Sequence, residues 1–281
     1  MSIAAEAQFP GFKVLARIGQ GAASVIYAVQ NPKTKQVWAL KHVVRNSDKD
    51  VRFVEQVEQE YEVCSQLDHP NLRKVEKLIR NRKMFRVSEV MLVMELVDAE
   101  TVDQHPPADI PGALDIFIQT ARGLAHMHER GFVHADLKPT NIMVNDRGAV
   151  KLIDLGQACE IGAVKKRIQG TPGYMAPEQA HRQAITERTD IYNFGATMYW
   201  ILTREVIPTA LPPSDDRTSL LSGAIDAEQL KPPKPPHEKN SMVPVELSEL
   251  ILACVAPDPA NRPQSMPEVL RGLEAIASIA R

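Results

Sequence analysis

The chain predicts an α+β protein in two parts, a small antiparallel β-sheet region with one main helix followed by a larger, mainly helical region. Three observations predict it. Strand-like segments dominate residues 12–97, with one helical pattern among them. Helical spacing of apolar residues dominates after Pro111, and the polar, proline-bearing stretch Asp98 to Pro111 joins the two. Strands and helices segregated along a chain mark an α+β fold, whereas regular alternation would mark a parallel sheet. The length, 281 residues, suffices for one large core or two small ones. A hydrophobic content of 44% and a charged content of 24% are ordinary for a globular protein.

Residues 1–11 read as a short tail ending at Pro10-Gly11. Phe12 to Ile18 is strand-like, Gly19-Gln20-Gly21-Ala22-Ala23-Ser24 is a small-residue loop, and Val25 to Val29 is the returning strand. Such a loop lets a ligand approach the backbone closely, Gly19 and Gly21 supplying the flexibility. It is no Rossmann fingerprint, because a strand follows it, and no P-loop, because no G-K-[ST] closes it. On its own it is equally a plain hairpin turn. Val37 to Val44 is another strand and carries Lys41 among apolar neighbours. Over residues 49–67, Val51, Val54, Val57, Tyr61, Cys64 and Leu67 recur at helical spacing until His69-Pro70-Asn71 ends the helix. Residues 72–97 return to strands, and the run Val90 to Met94 is apolar enough to be buried.

Ala113 to Glu129 is a helix with Gly131 as its C-cap candidate. Residues 157–185 show little periodicity, and long loops in compact domains are usually functional. Thr189 to Leu202 is a buried helix, and Val245 to Val255 and Pro267 to Ile279 are closing helices. Between them the chain is proline-rich. Lys231-Pro232-Pro233-Lys234-Pro235-Pro236 reads as a surface loop stiffened by polyproline conformation, with a ligand for a partner domain as the alternative. No internal repeat is visible.

The chemistry concentrates between His134 and Gly156. Asp136 is followed at fixed distances by Lys138, Asn141 and Asp154. Ile142-Met143-Val144 and Val150 to Ile153, joined by Asn145-Asp146-Arg147-Gly148, form a β-hairpin pattern. A hairpin brings the Asp136 and Asp154 loops to one end. Each Asp or Asn alone reads as a turn residue. Two carboxylates, an amide and an ammonium in one small volume suit a polyphosphate with Mg²⁺.

Other classes are disfavoured. The net charge of −2 gives no global attraction to nucleic acid or an anionic membrane. Lys165-Lys166-Arg167 reads as a solvated loop face. Cys64, Cys159 and Cys254 are too scattered for a disulfide framework or zinc site and fit a reducing compartment, the cytosol. The first twelve residues lack the basic and apolar regions of a secretory signal, and no run is long and apolar enough for a membrane span.

With these motifs in their order, the chain resembles a protein kinase catalytic domain from about Phe12 to about Ile276, of the Hanks-type serine/threonine class and most similar to bacterial members. The resemblance implies a bilobal fold, residues 12–97 being the β-rich lobe and 98–279 the helical lobe. It implies Mg²⁺ and ATP as cofactors and a protein serine or threonine as acceptor. Ile18, Gly19, Gln20, Gly21, Ala22, Ala23, Ser24 and Ile26 match the loop over the phosphates, and Lys41 in Ala39-Leu40-Lys41 matches the lysine that pairs with the α- and β-phosphates. Its carboxylate partner would be Glu60 by register, with Glu58 and Glu62 close by. Met94 would be the gatekeeper. Glu95 and Val97 would offer backbone groups to adenine, and Ile26, Ala39 and Met143 would sandwich its ring.

The resemblance also makes Asp136 the catalytic carboxylate and Lys138 the γ-phosphate contact, with Asn141 and Asp154 as metal ligands. Asp154-Leu155-Gly156 departs from the family's D-F-G by Leu155, which keeps an apolar plug. Gly170 to Glu178 matches the end of the activation segment, Glu178 pairing with Arg262, and Asp190 matches the aspartate that braces the catalytic loop. One departure bears on regulation. Ala135 stands where regulated members carry an arginine that binds a phosphate on the activation segment, and no Ser, Thr or Tyr lies between residues 155 and 170. The expectation is a kinase not switched by phosphorylation there. The rival readings are a pseudokinase scaffold on the same fold and a small-molecule phosphotransferase. The retained Lys41, Asp136, Asn141 and Asp154 weigh against the first, and the Ala176-Pro177-Glu178 segment against the second.

Overall fold

The computed structural model describes residues 9–21, 23–83, 85–208 and 232–280, and divides the chain into two compact units. The first comprises residues up to Asp68 together with Arg73–Asp98. Its strands are β1 (Lys13–Gln20), β2 (Ser24–Gln30), β3 (Val37–Val44), β4 (Val75–Lys83) and β5 (Arg86–Glu95), with α1 (Val51–Cys64) between β3 and β4. The sheet is antiparallel in the order β1-β2-β3-β5-β4.

Strand alternation explains why the apolar run in β5 is continuous. Val90, Leu92 and Met94 share one face with Ala39 and Val43 and pack on Val54 and Val57 of α1. Met91 and Val93 point to the other face with Leu40 and Val29. A strand buried on both sides needs apolar residues at every position. Phe9 covers that second face, its ring edge-on to Tyr27 and to His42, each at 5.1 Å. The tail read over residues 1–11 therefore gives way to packed structure at Phe9.

The second unit comprises His69–Leu72 and the chain from Ala99 onward. Its elements are β6 (Glu100–Thr101), α2 (Ile110–Glu129), β7 (Phe132–Val133), β8 (Ile142–Val144), β9 (Val150–Leu152), β10 (Cys159–Glu160), α3 (Pro177–Ala180), α4 (Glu187–Thr203), α5 (Pro236–Lys239), α6 (Val245–Cys254) and α7 (Met266–Ala280). The expected hairpin is β8–β9, with β6 beside β8, and β7 pairs with β10. α4 is buried along nearly its whole length, and Phe194 meets Phe117 of α2 edge to face at 6.2 Å.

Three boundaries move. α2 starts at Ile110 rather than Ala113, because the Asp109 carboxylate accepts from Gly112 N–H at 2.8 Å and Pro111 sits in the first turn. Gly131 follows the helix at φ +83°. His69–Leu72, read only as a helix stop, belongs to the second unit. There the Asn71 carboxamide donates to Val150 O at 2.9 Å, and Leu152 N–H donates to Asn71 O at 2.8 Å. The proline-rich loop ends in structure, because the buried Pro236 opens α5; Lys231 lies outside the described residues. No helix among the described residues is long and apolar enough to cross a membrane.

Candidate active site

In the first unit the chemistry centres on Lys41. β3 carries it in register with Ile26 of β2 and Leu92 of β5, so its stem lies over an apolar sheet. Its Nζ donates to Glu60 Oε2 at 2.7 Å, and the Glu60 side chain is 1% exposed. Arg73 lies 3.6 Å from the other Glu60 oxygen. Glu60 is thus the glutamate that α1 turns inward, while Glu58 engages Arg80 and Glu62 faces solvent. A buried carboxylate persists only with such compensation.

Around Lys41, Ala39 faces the fully buried Met94 across the β3–β5 pair. Glu95 N–H donates to Lys74 O at 2.9 Å, which commits that donor within the unit. Ile18 is exposed near the end of β1, Val97 is half-buried just beyond β5, and Ala23 leads into β2, which opens at Ser24. Ala22 lies outside the described residues. The loop is held by Gly21 N–H donating to Ser24 O at 2.8 Å, and the Gln20 side chain accepts from Arg17. Neither Gly19 nor Gly21 takes a positive φ. At Gly21 a Cβ would lie 2.7 Å from Ser24 Oγ, so a side chain there would make the Ser24 hydroxyl rotate away.

In the second unit, β7 leads into a tight loop and a 3-10 turn, Pro139–Asn141, before β8. This compact path gathers Asp136, Lys138 and Asn141. Thr171 Oγ1 donates to Asp136 Oδ1 at 2.7 Å, Lys138 Nζ lies 3.1 Å from Asp136 Oδ2, and Lys138 also donates to Thr171 Oγ1 at 2.8 Å. Asn141 is 4% exposed and its Nδ2 donates to Asp136 O at 2.9 Å, which aims its Oδ1 away from the loop. The hairpin returns the chain so that Ile153 N–H donates to Asn141 O at 2.9 Å. Asp154 comes next, at φ +60°, with Leu155 buried behind it. A carboxylate and an amide oxygen on neighbouring strand ends are hard donors that suit Mg²⁺, which completes its shell with phosphate oxygens and water. Met143 is half-buried on β8.

Asp190 braces this loop from below. Fully buried on α4, it accepts from Ala135 N–H and His134 N–H, each at 2.8 Å, and from His128 Nε2 at 2.9 Å. Burial alone would raise its pKa, but the His128 hydrogen bond, the neighbouring imidazoles and the Ala135 N–H together hold it below the usual 3.8. Glu178 and Arg262 form the expected buried ion pair at 2.7 Å. Cys64, Cys159 and Cys254 are buried and joined by no disulfide, and burial pushes the Cys159 and Cys254 thiols up, away from the thiolate a nucleophile needs.

Sequence reading did not single out His128 or Gln179. His128 lay on the helical face of α2 like any other residue, and Gln179 follows a motif without belonging to it. Lys165 also departs from the solvated face expected of its run, since its Nζ donates to Gln157 O at 3.0 Å.

The family profile described as protein kinase domain matches residues 12–272. The chain is 27% identical over 260 residues to serine/threonine-protein kinase PrkC of Bacillus subtilis, a match covering 89% of this chain and 38% of that protein. It is 27% identical over 272 residues to serine/threonine-protein kinase PknB of Mycobacterium leprae, covering 93% and 42% respectively. The similarity to PknB of Mycolicibacterium smegmatis is 27% over 268 residues, covering 90% and 40%. The chain thus spans about two-fifths of the length of these relatives.

Proposed function

The chain belongs to the protein kinase family, and from that premise we propose that it is an ATP-dependent serine/threonine kinase acting on a protein hydroxyl. The observation that carries this reading is the Asp136–Thr171–Lys138 triangle, in which a carboxylate, a hydroxyl and an ammonium lie within 2.7–3.1 Å of one another. A carboxylate so placed can accept a hydroxyl proton, and an ammonium beside it can neutralise a phosphoryl group in transfer.

In this mechanism the acceptor oxygen attacks the γ-phosphorus, the bond to the β-phosphate oxygen breaks to leave ADP, and the acceptor proton passes to Asp136. Lys138 screens the moving phosphoryl group. Lys41, held by Glu60, pairs with the α- and β-phosphates. Asn141 and Asp154 would hold Mg²⁺, which supplies charge neutralisation on the phosphates when bound. Ile18, Gly19, Gln20, Gly21, Ala22, Ala23, Ser24 and Ile26 cover the nucleotide. Ala39, Met94, Glu95, Val97 and Met143 receive the adenine. Three buried cysteines without a disulfide support action in a reducing compartment.

The test is transfer of labelled phosphate from ATP to casein with Mg²⁺ present. Asp136→Asn should lower it on the order of a thousandfold. Equal, residual transfer by wild type and variant would favour the scaffold reading instead. The regulatory reading rests on Ala135 and on the lack of Ser, Thr or Tyr in residues 155–170. Activity should survive exhaustive phosphatase treatment, and a large loss on dephosphorylation would overturn it.

A further inference from the structure

The kinase reading leaves open what orders the activation segment when phosphate does not. We propose that Gln179 is a positioning residue that ties the catalytic loop to that segment and so sets the geometry of Asp136. Gln179 is 3% exposed. Its Nε2 donates to Ala135 O at 2.7 Å and to Gln169 O at 3.3 Å. Its Oε1 accepts from Ala176 N–H and from Asn193 Nδ2, each at 2.9 Å. Two donors and two acceptor positions are the full capacity of a carboxamide. One side chain thereby joins the residue before Asp136, the residue two before Thr171, and α4.

The point of attachment is significant. Ala135 adopts φ +60°, a left-handed conformation that is unfavourable for a non-glycine residue and persists only where the surroundings impose it. Its N–H is held by Asp190 Oδ1 at 2.8 Å and its C=O by Gln179, so the residue is pinned from both sides immediately before the catalytic carboxylate. Gly170 completes the fit. It sits at φ +124°, and a Cβ there would lie 3.1 Å from Gln179 Nε2. The cavity beside Ala135, lined also by Lys165, Gln169 and Gln179, holds about 10 Å³. That is room for at most one water and too little for a phosphate. The tie here is made by neutral, internal hydrogen bonds.

The proposal rests on the kinase reading for its consequence but not for its structural content, so two measurements separate them. In the full chain, with casein as acceptor, Gln179→Ala should lower kcat about tenfold or more while the KM for ATP changes by less than about twofold, the pattern of lost transition-state geometry. Gln179→Glu keeps the shape and the acceptor contacts but sets an oxygen against two carbonyls. Its kcat relative to wild type should recover as pH is lowered, because a protonated carboxyl regains the donor. Amide hydrogen exchange over residues 134–137 and 169–175 should accelerate in Gln179→Ala and in Gly170→Ala. Exchange as slow as wild type in both segments, or an unchanged kcat in Gln179→Ala, overturns the proposal. Absence of phosphate transfer by wild type would instead sink the kinase reading, while the exchange comparison still decides the role of Gln179.

Discussion

Arg262 spends all five of its N–H donors inside the protein. Nη1 and Nη2 reach the two Glu178 oxygens at 2.7 and 2.9 Å, and the remaining donors go to the carbonyls of Ala256, Arg188 and Pro257. The Thr189 hydroxyl donates to Glu178 as well, at 2.9 Å. The pair matters less for net attraction than for what its rupture would expose. Arg262→Ala leaves a carboxylate buried without a counter-charge, which costs about 3–5 kcal/mol, to be read as a lowered urea midpoint. Asp190 gives the matching pH prediction. Its pKa is lower in the folded state than in the unfolded chain, so its contribution to stability is complete above the usual 3.8 and is lost as pH falls below that value. Acid titration of unfolding should steepen there in wild type and flatten in Asp190→Asn. The motif register identified Asp190 and Arg262, but the sequence was silent on the donors that complete each shell. Hydrogen bonds to carbonyls of Ala256 or Pro257 leave no trace in side-chain identity.

At the scale of elements, α2 shows how a cap decides a boundary. Helical spacing placed its start at Ala113, and the Asp109 carboxylate moves it to Ile110 by taking Gly112 N–H at 2.8 Å. Asp109→Ala should cost about 1 kcal/mol in chemical denaturation. The strong periodic elements were legible throughout: β3 with Lys41 among apolar residues, the doubly buried β5, the β8–β9 hairpin and the apolar α4. The short ones were not. β7 and β10 are two residues each, and α3 is four. Elements so short have no period to detect and exist because a neighbour pairs with them or caps them. Phe9 is the same lesson in a side chain, an aromatic in a short stretch without periodicity whose burial depends on a sheet face that must first be built.

At the scale of the whole molecule, two units with separate cores hold separate groups of the proposed site residues, Lys41–Glu60 in one and Asp136–Asn141–Asp154 in the other. Glu60→Gln should therefore lower phosphate transfer while leaving the second unit's exchange protection unchanged, a comparison that mass-resolved hydrogen exchange can make. The roles proposed for Asp136, Lys138, Asn141 and Asp154 follow from the family resemblance, while their gathering at one end of a hairpin was legible in the sequence itself. So was the lack of a phosphate acceptor in residues 155–170, which is a matter of composition. Only the tertiary structure decided which glutamate faces Lys41, that Phe9 belongs to the core, and that Gln179 holds Ala135. These depend on which face of a helix or strand turns inward and on hydrogen bonds to backbone atoms that every residue shares, and a string of side-chain identities does not encode either one locally.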